Sequence, residues 1–426
     1  MVDAPVESLP TELRILILQR CLDLSTLRSI VHASPVYHQT YLSIRHDLLL
    51  AMLDRNYDGL VDISDAITAI RSRGLYACFP SNKEKILALL DCRRRSEEIC
   101  RLRLPSAPDA PQQPKDVDEI LALLKLHEIA MYFLNDYSHH PVRPKWIDPT
   151  KWEEEILPLK LSKIEKIRFL RALYRHQILA NIFGPRDNPV NESPRWGELN
   201  TWLDEKIFAH EEAWGVFLGT LDPWEIGELG CVWEYLRDKY RAPYNEIAQD
   251  MQQYPTKSGS VTIPDPPRGN LALDGDDLHA DDESIEALAA IGPVFCFKFL
   301  HQATYRGRRD MVLANYHRTV YCLPNMHVMA SEALPLLYPA DRFNFGYDYQ
   351  GFRDLVATLP PWQQPNIAFQ WYFVGIIEEE DGCAVFETYY DLKTPHIERW
   401  AYAIWDEKRL IEWNAPQNYD DAIDAS

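Results

Sequence analysis

The sequence predicts a mainly α-helical protein, with a small N-terminal three-helix module (residues 1–55) followed by an irregular all-helical body (56–426). Three observations carry that expectation. Residues 162–183, SKIEKIRFLRALYRHQILANIF, place Ser162 and Glu165 as a capping box, in which each side chain satisfies a backbone N–H near the other. Ile164, Ile167, Leu170, Tyr174 and Ile178 then follow at helical spacing until Gly184-Pro185. Asp222-Pro223-Trp224-Glu225 opens a second helix carrying Ile226, Leu229, Trp233, Leu236 and Tyr240, and Ala242-Pro243 is expected to end it. The first 50 residues repeat the pattern in three short segments.

In the first segment Leu9-Pro10 precedes Glu12-Leu13, and Leu13, Leu16, Ile17 and Cys21 fall at helical spacing. Ile15, Leu18 and Leu22 lie on its other faces. Ser25 is placed to cap a second helix with Leu27, Ile30 and Val31, since its hydroxyl can accept from an unpaired first-turn N–H. Ser34-Pro35 starts a third, with proline suited to a helix's first turn, and Val36, Tyr37, Tyr41, Ile44 and Leu48 supply its stripe. So small a unit cannot bury all that surface alone. Each fully buried leucine is worth roughly 1.5–3 kcal/mol, so a cover is expected, supplied either by a partner or by the chain's own later helices.

Further along, residues 56–103 read as helical, with Ile63, Ile67 and Ile70 and then Ile86, Leu87, Leu89 and Leu90. Residues 104–118, with four prolines, read as a surface loop, and a helix follows at 118–134. A second loop spans 255–283 and ends in an acidic run; consecutive helices at 285–291 and 293–304 break at Gly292-Pro293. Residues 366–390 fit either a buried helix followed by a loop or a short C-terminal hairpin turning at Asp381-Gly382. Glu398–Trp413 suits a docking helix or two. No period of 20 to 50 residues appears, which argues against leucine-rich, kelch or propeller repeats.

The opening segment resembles an F-box of the divergent kind found at the N-terminus of many filamentous-fungal proteins. The residues that carry the resemblance are Leu9, Pro10, Glu12, Leu13, Ile17, Leu18, Leu27, Ile30, Val31, the His32-Ala33-Ser34-Pro35 run and Tyr37. Two departures stand out. Tyr37 is the nearest aromatic to a tryptophan common in the third helix of F-boxes, and Cys21-Leu22-Asp23-Leu24 stands where many place an Asp-Pro turn. The segments RFLRALYRHQILANIFG, DPWEIGELGCVWEYL and RWAYAIWDEKRLIEW look like the helical region of the same fungal group. The resemblance implies a substrate adaptor of a cullin-based ubiquitin ligase, which docks a Skp-type adaptor and presents an unidentified target protein through its body. The implied adaptor contacts are Leu9, Pro10, Leu13, Ile17, Leu18, Leu27, Ile30, Val31 and Tyr37.

Composition bounds the alternatives. Hydrophobic residues at 46% and aromatics at 12% suffice for a sizeable core, while a net charge of −20 opposes non-specific nucleic-acid binding through long-range repulsion. None of the eight cysteines forms a CxxC pair, as expected of reduced thiols in cytoplasm or nucleus. No run approaches the length of a membrane span. His127-Glu128 and His210-Glu211 lack the second histidine a zinc-protease helix requires, and His301, His317 and His327 fit no finger spacing. There is no G-x-S-x-G elbow, phosphate loop or calcium loop. No catalytic, cofactor-binding or metal-ligating residue is therefore expected. Two other classes remain open: a self-contained helical scaffold without a ligase role, and an enzyme whose pocket is assembled from scattered residues in 160–413.

Overall fold

The computed structural model describes residues 6–102, 113–188, 207–208, 210–253, 283–315, 354, 356–374, 398–418 and 421–422. Every regular element among them is helical, as the sequence predicts, and no strand occurs among them. The N-terminal helices are α1 (Thr11–Gln19), α2 (Leu24–Ala33) and α3 (Pro35–Tyr57). Asp23, rather than the expected Ser25, caps α2: its Oδ1 accepts from Thr26 N at 2.7 Å and from the Ser25 hydroxyl at 2.6 Å. A carboxylate suits the positive end of a helix better than a hydroxyl does. Those same hydrogen bonds hold the Asp23 carboxyl below its ordinary pKa. Ser34 does cap α3, accepting from Tyr37 N at 3.4 Å, with Pro35 in the first turn.

Both α1 and α2 pack on α3, and α3 packs on α6 (Val117–His139). Between them come α4 (Ile63–Arg71) and α5 (Lys83–Leu102). At the far end of α3, Tyr57 stacks on His127 of α6 with ring centroids 4.6 Å apart. Its hydroxyl donates to Leu123 O and accepts from Tyr174, each at 3.3 Å.

The centre of the body is α7 (Lys163–Phe183). The capping box is present: Ser162 Oγ accepts from Glu165 N at 3.2 Å, and Glu165 Oε2 accepts from Ser162 N at 2.8 Å. The apolar stripe, however, understates the burial. Every residue from Arg168 to Ala180 is buried, whereas Ile164 and Ile167 are only half-buried. The cause is that α4, α6, α9 (Pro223–Gln253) and α11 (Pro293–Leu300) all pack against α7.

Between α7 and α9 lies α8 (His210–Val216); α10 (Glu283–Ala290) precedes α11, and α12 (Tyr305–Ala314) follows it. The expected end of α9 at Pro243 is not observed, because the helix runs on to Gln253 with the proline inside it. A proline inside a helix costs about 3 kcal/mol, and Tyr240, Tyr244, Ile247 and Ala248 are all buried on either side of it, which offsets that cost. Gly292, at φ 104°, separates α10 from α11 as anticipated. The described part of 366–390 is helical: one turn at Ile367–Phe369 continues into a wider turn at Gln370–Val374. The hairpin alternative over the rest of that stretch, and the loop at 255–282, lie outside the described residues.

The C-terminal segment closes the body. Trp405 stacks on Tyr137 at 5.3 Å and Trp400 meets Trp146 edge-on at 5.0 Å, ahead of α13 (Glu407–Glu412). One apolar core then runs without a break from Leu18 of α1 to Leu410 of α13. No helix among the described residues is long and apolar enough to cross a membrane.

Candidate docking surface

Helix α1 begins without a side-chain cap; Pro10 O instead accepts from Leu13 N and Arg14 N at 3.0 and 3.1 Å. Its other end is held by Arg55 of α3, whose guanidinium donates to Gln19 O at 2.7 Å and Cys21 O at 3.3 Å. A cation is favourable at a helix C-terminus, where carbonyls lack intrahelical partners. The chain leading into α1 is tied down as well, since the Tyr37 hydroxyl donates to Val6 O at 3.3 Å. Helix α1 is thus fixed at both ends by α3.

Leu18 faces α3 and is fully buried, but Leu13 is 45% exposed and Leu16 52% exposed. These two lie three residues apart and therefore on one helix face. Nine large apolar side chains are substantially exposed among the described residues, and five of them (Val6, Leu13, Leu16, Leu22 and Leu42) fall within the first 42 residues. The others, Phe79, Met131, Trp362 and Ile411, are scattered through the rest. The exposed apolar surface is concentrated at the N-terminus.

The implied adaptor contacts divide into two groups. Pro10 and Leu13 are exposed, and Leu9, Ile17 and Ile30 are half-buried. Leu18, Leu27, Val31 and Tyr37 are buried in the chain's own core, so in this conformation they support the surface from beneath rather than forming it. Their burial follows from α3, whose buried Leu48, Leu49, Met52 and Leu53 supply apolar cover within the same core. Leu16, Leu22, Leu42 and Val6 were not among the implied contacts. The spacing of Leu16 after Leu13 is the signal that points to it.

A groove of about 430 Å3 lies between α2, α3 and α6, with Leu27, Val31, Tyr41 and Leu121 in its wall and Arg28 and Glu128 among its polar residues. Burial and the nearby Asp23 carboxylate push the Glu128 carboxyl above its ordinary pKa.

A second cluster is polar and closed. Asp65 of α4 takes Arg93 of α5 at 2.6 Å and Arg175 of α7 at 3.0 Å. Arg175 also reaches Glu225 of α9 at 2.8 Å, and Arg171 joins Glu225 at 2.9 Å and Glu228 at 2.5 Å. Arg168 completes the row, 3.8 Å from Glu228 while donating to Trp405 O and Gln364 O. Burial pushes the Asp65 carboxyl up, but its two guanidinium partners outweigh that and hold it below the usual range. Each of these seven side chains is at most 10% exposed, so the lattice ties helices together and offers no open face. Among the described residues no group of three histidine, cysteine or acidic side chains is arranged to hold a metal. No family model matches the chain, and no curated protein and no solved structure matches it either.

Proposed function

We propose that this chain is an F-box-type substrate adaptor of a cullin-based ubiquitin ligase. The N-terminal helices dock a Skp-type adaptor, and the helical body presents a target protein to the transferring enzyme. The single observation that supports this reading is the concentration of exposed leucine on an α1 whose two ends are pinned to α3. A rigid helix with leucines already facing water loses little conformational freedom on binding and regains their burial energy. The working contacts on this reading are Pro10, Leu13 and Leu16, flanked by the half-buried Leu9, Ile17 and Ile30.

The chain itself performs no bond chemistry in this role. It raises the local concentration of a target beside the enzyme that modifies it. Such work belongs in cytoplasm or nucleus. The test is titration of the full chain with a purified Skp-type adaptor, wild type against Leu13→Asp/Leu16→Asp. The wild type is expected to form a complex and the double variant to lose it; no complex with the wild type ends the proposal. A second reading, a self-contained helical scaffold with no ligase role, is favoured by the burial of Leu18, Leu27, Val31 and Tyr37 within the chain. It predicts that wild type and variant both remain unbound.

A further inference from the structure

The turn that opens the C-terminal segment, residues 398–403, lies against α9 through a carboxyl group placed among other carboxyl groups. Glu398 is 2% exposed, and its side chain lies flush on Gly230, where even a Cβ would collide with the carboxyl carbon and both oxygens. Its Oε1 is buried with no hydrogen-bond partner. The groups around it are Cys231, Glu234 and Arg237 of α9. The guanidinium of Arg237 is engaged elsewhere, with Glu234 one turn away and with Glu286 of α10 at 3.2 Å. On its own side, Arg399 turns to Asp238 at 3.7 Å. Arg237 is therefore paired with Glu234 and Glu286 rather than with Glu398. Burying an unpaired ionised carboxylate is costly, so a group so placed takes up a proton instead.

The turn that delivers Glu398 is itself strained. Ala401 is held at φ 64°, a region that costs a non-glycine residue free energy, and its N–H donates to Glu398 O at 2.8 Å. The strain persists because Trp400, Tyr402 and Trp405 are buried around it.

We infer that Glu398 is a proton-operated latch, holding the turn 398–403 on α9 as a neutral acid and releasing it when the proton leaves. Burial and the Glu234 charge push the Glu398 carboxyl well above its ordinary pKa. The sign follows from that direction. The seated state binds a proton that the released state gives up, so docking is strongest below the carboxyl's unfolded value of about 4.3 and weakens as pH rises toward the seated value.

The experiment is hydrogen exchange of the amides of 400–403 in the full chain between pH 4.5 and 9, corrected for the intrinsic pH dependence of exchange. Wild type, Glu398→Gln and Glu234→Gln are compared. In the wild type the opening constant is expected to rise by about tenfold per pH unit across the window between the released and the seated pKa of the carboxyl and to level off above the latter, because one proton is released on opening. Glu398→Gln should remove that rise, and Glu234→Gln should move the top of the window to lower pH by relieving the neighbouring negative charge. A wild-type profile that is flat, or a Glu398→Gln profile equally steep, overturns the latch. Should Glu398→Gln fail to fold, an unmoved window in Glu234→Gln overturns it as well.

Discussion

Two regions of this molecule treat water in opposite ways. Helix α1 and the turn that follows it leave Leu13, Leu16 and Leu22 in it, whereas α4, α5, α7 and α9 remove Asp65, Glu225, Glu228 and four arginines from it. In the body every buried carboxylate of the lattice meets at least one guanidinium, and the helices that supply them are otherwise packed with apolar side chains. At the N-terminus the helices are well anchored but incompletely covered. The contrast separates a closed interior from a surface that the described residues leave partly open.

The comparison breaks most visibly at the lattice. Arg175→Ala leaves Asp65 and Glu225 each short of a partner in a closed site, and removing one member of a buried pair costs about 3–5 kcal/mol. Chemical denaturation with urea reads that loss directly, and a change under about 1 kcal/mol would mean that the lattice opens to solvent. Leu18→Ala, beneath the exposed face of α1, is expected to cost about 2–5 kcal/mol in the same assay, since it leaves a cavity under the helix.

Acid provides a third probe. Burial lowers His127 to about 4 and His176 to about 3, both below the unfolded value of about 6.5. The unfolded chain therefore binds more protons in this range, and stability falls as pH drops from 6.5 toward 4. His127→Gln should flatten part of that slope in melts recorded between those pH values, and an unchanged slope would place the titration elsewhere. The smallest effect on stability is expected at Leu13→Ala/Leu16→Ala, within about 0.5 kcal/mol, because both side chains already face water. If the pair instead destabilises the chain by several times that amount, α1 is closed off by its own protein and the comparison fails. On the proposed adaptor role, affinity for a Skp-type adaptor should, by contrast, fall by at least about tenfold, or 1.4 kcal/mol, in the same double variant.

Much of the chemistry completed within a few residues was legible in the chain, although Asp23 rather than Ser25 caps α2. Ser162 with Glu165 marks the start of α7, Gly184-Pro185 its end, and Gly292 the break between α10 and α11. What depends on distant partners was not. Arg168, Arg171 and Arg175 recur at spacings of three and four, which describes an exposed charged face as well as a buried row, and their acids Glu225 and Glu228 lie on another helix. Pro243 reads as a stop until the packing around it is known. The candidate docking surface shows the same limit. Leu16 and Leu18 are near neighbours in a helix apolar around much of its circumference, and only the position of α3 decides that one is in water and the other in the core.

Helix α3 runs unbroken for 23 residues, which at 1.5 Å per residue is about 35 Å. Helix α1 is tied to it through Tyr37 near one end and Arg55 near the other, and its last turn is clamped to α6 and α7 by the Tyr57, His127 and Tyr174 side chains. It therefore serves as one strut shared by the N-terminal helices and the body. The exposed leucines of α1 and the Tyr57–His127–Tyr174 contact of the interior are therefore joined through one continuous helix, with no loop between them.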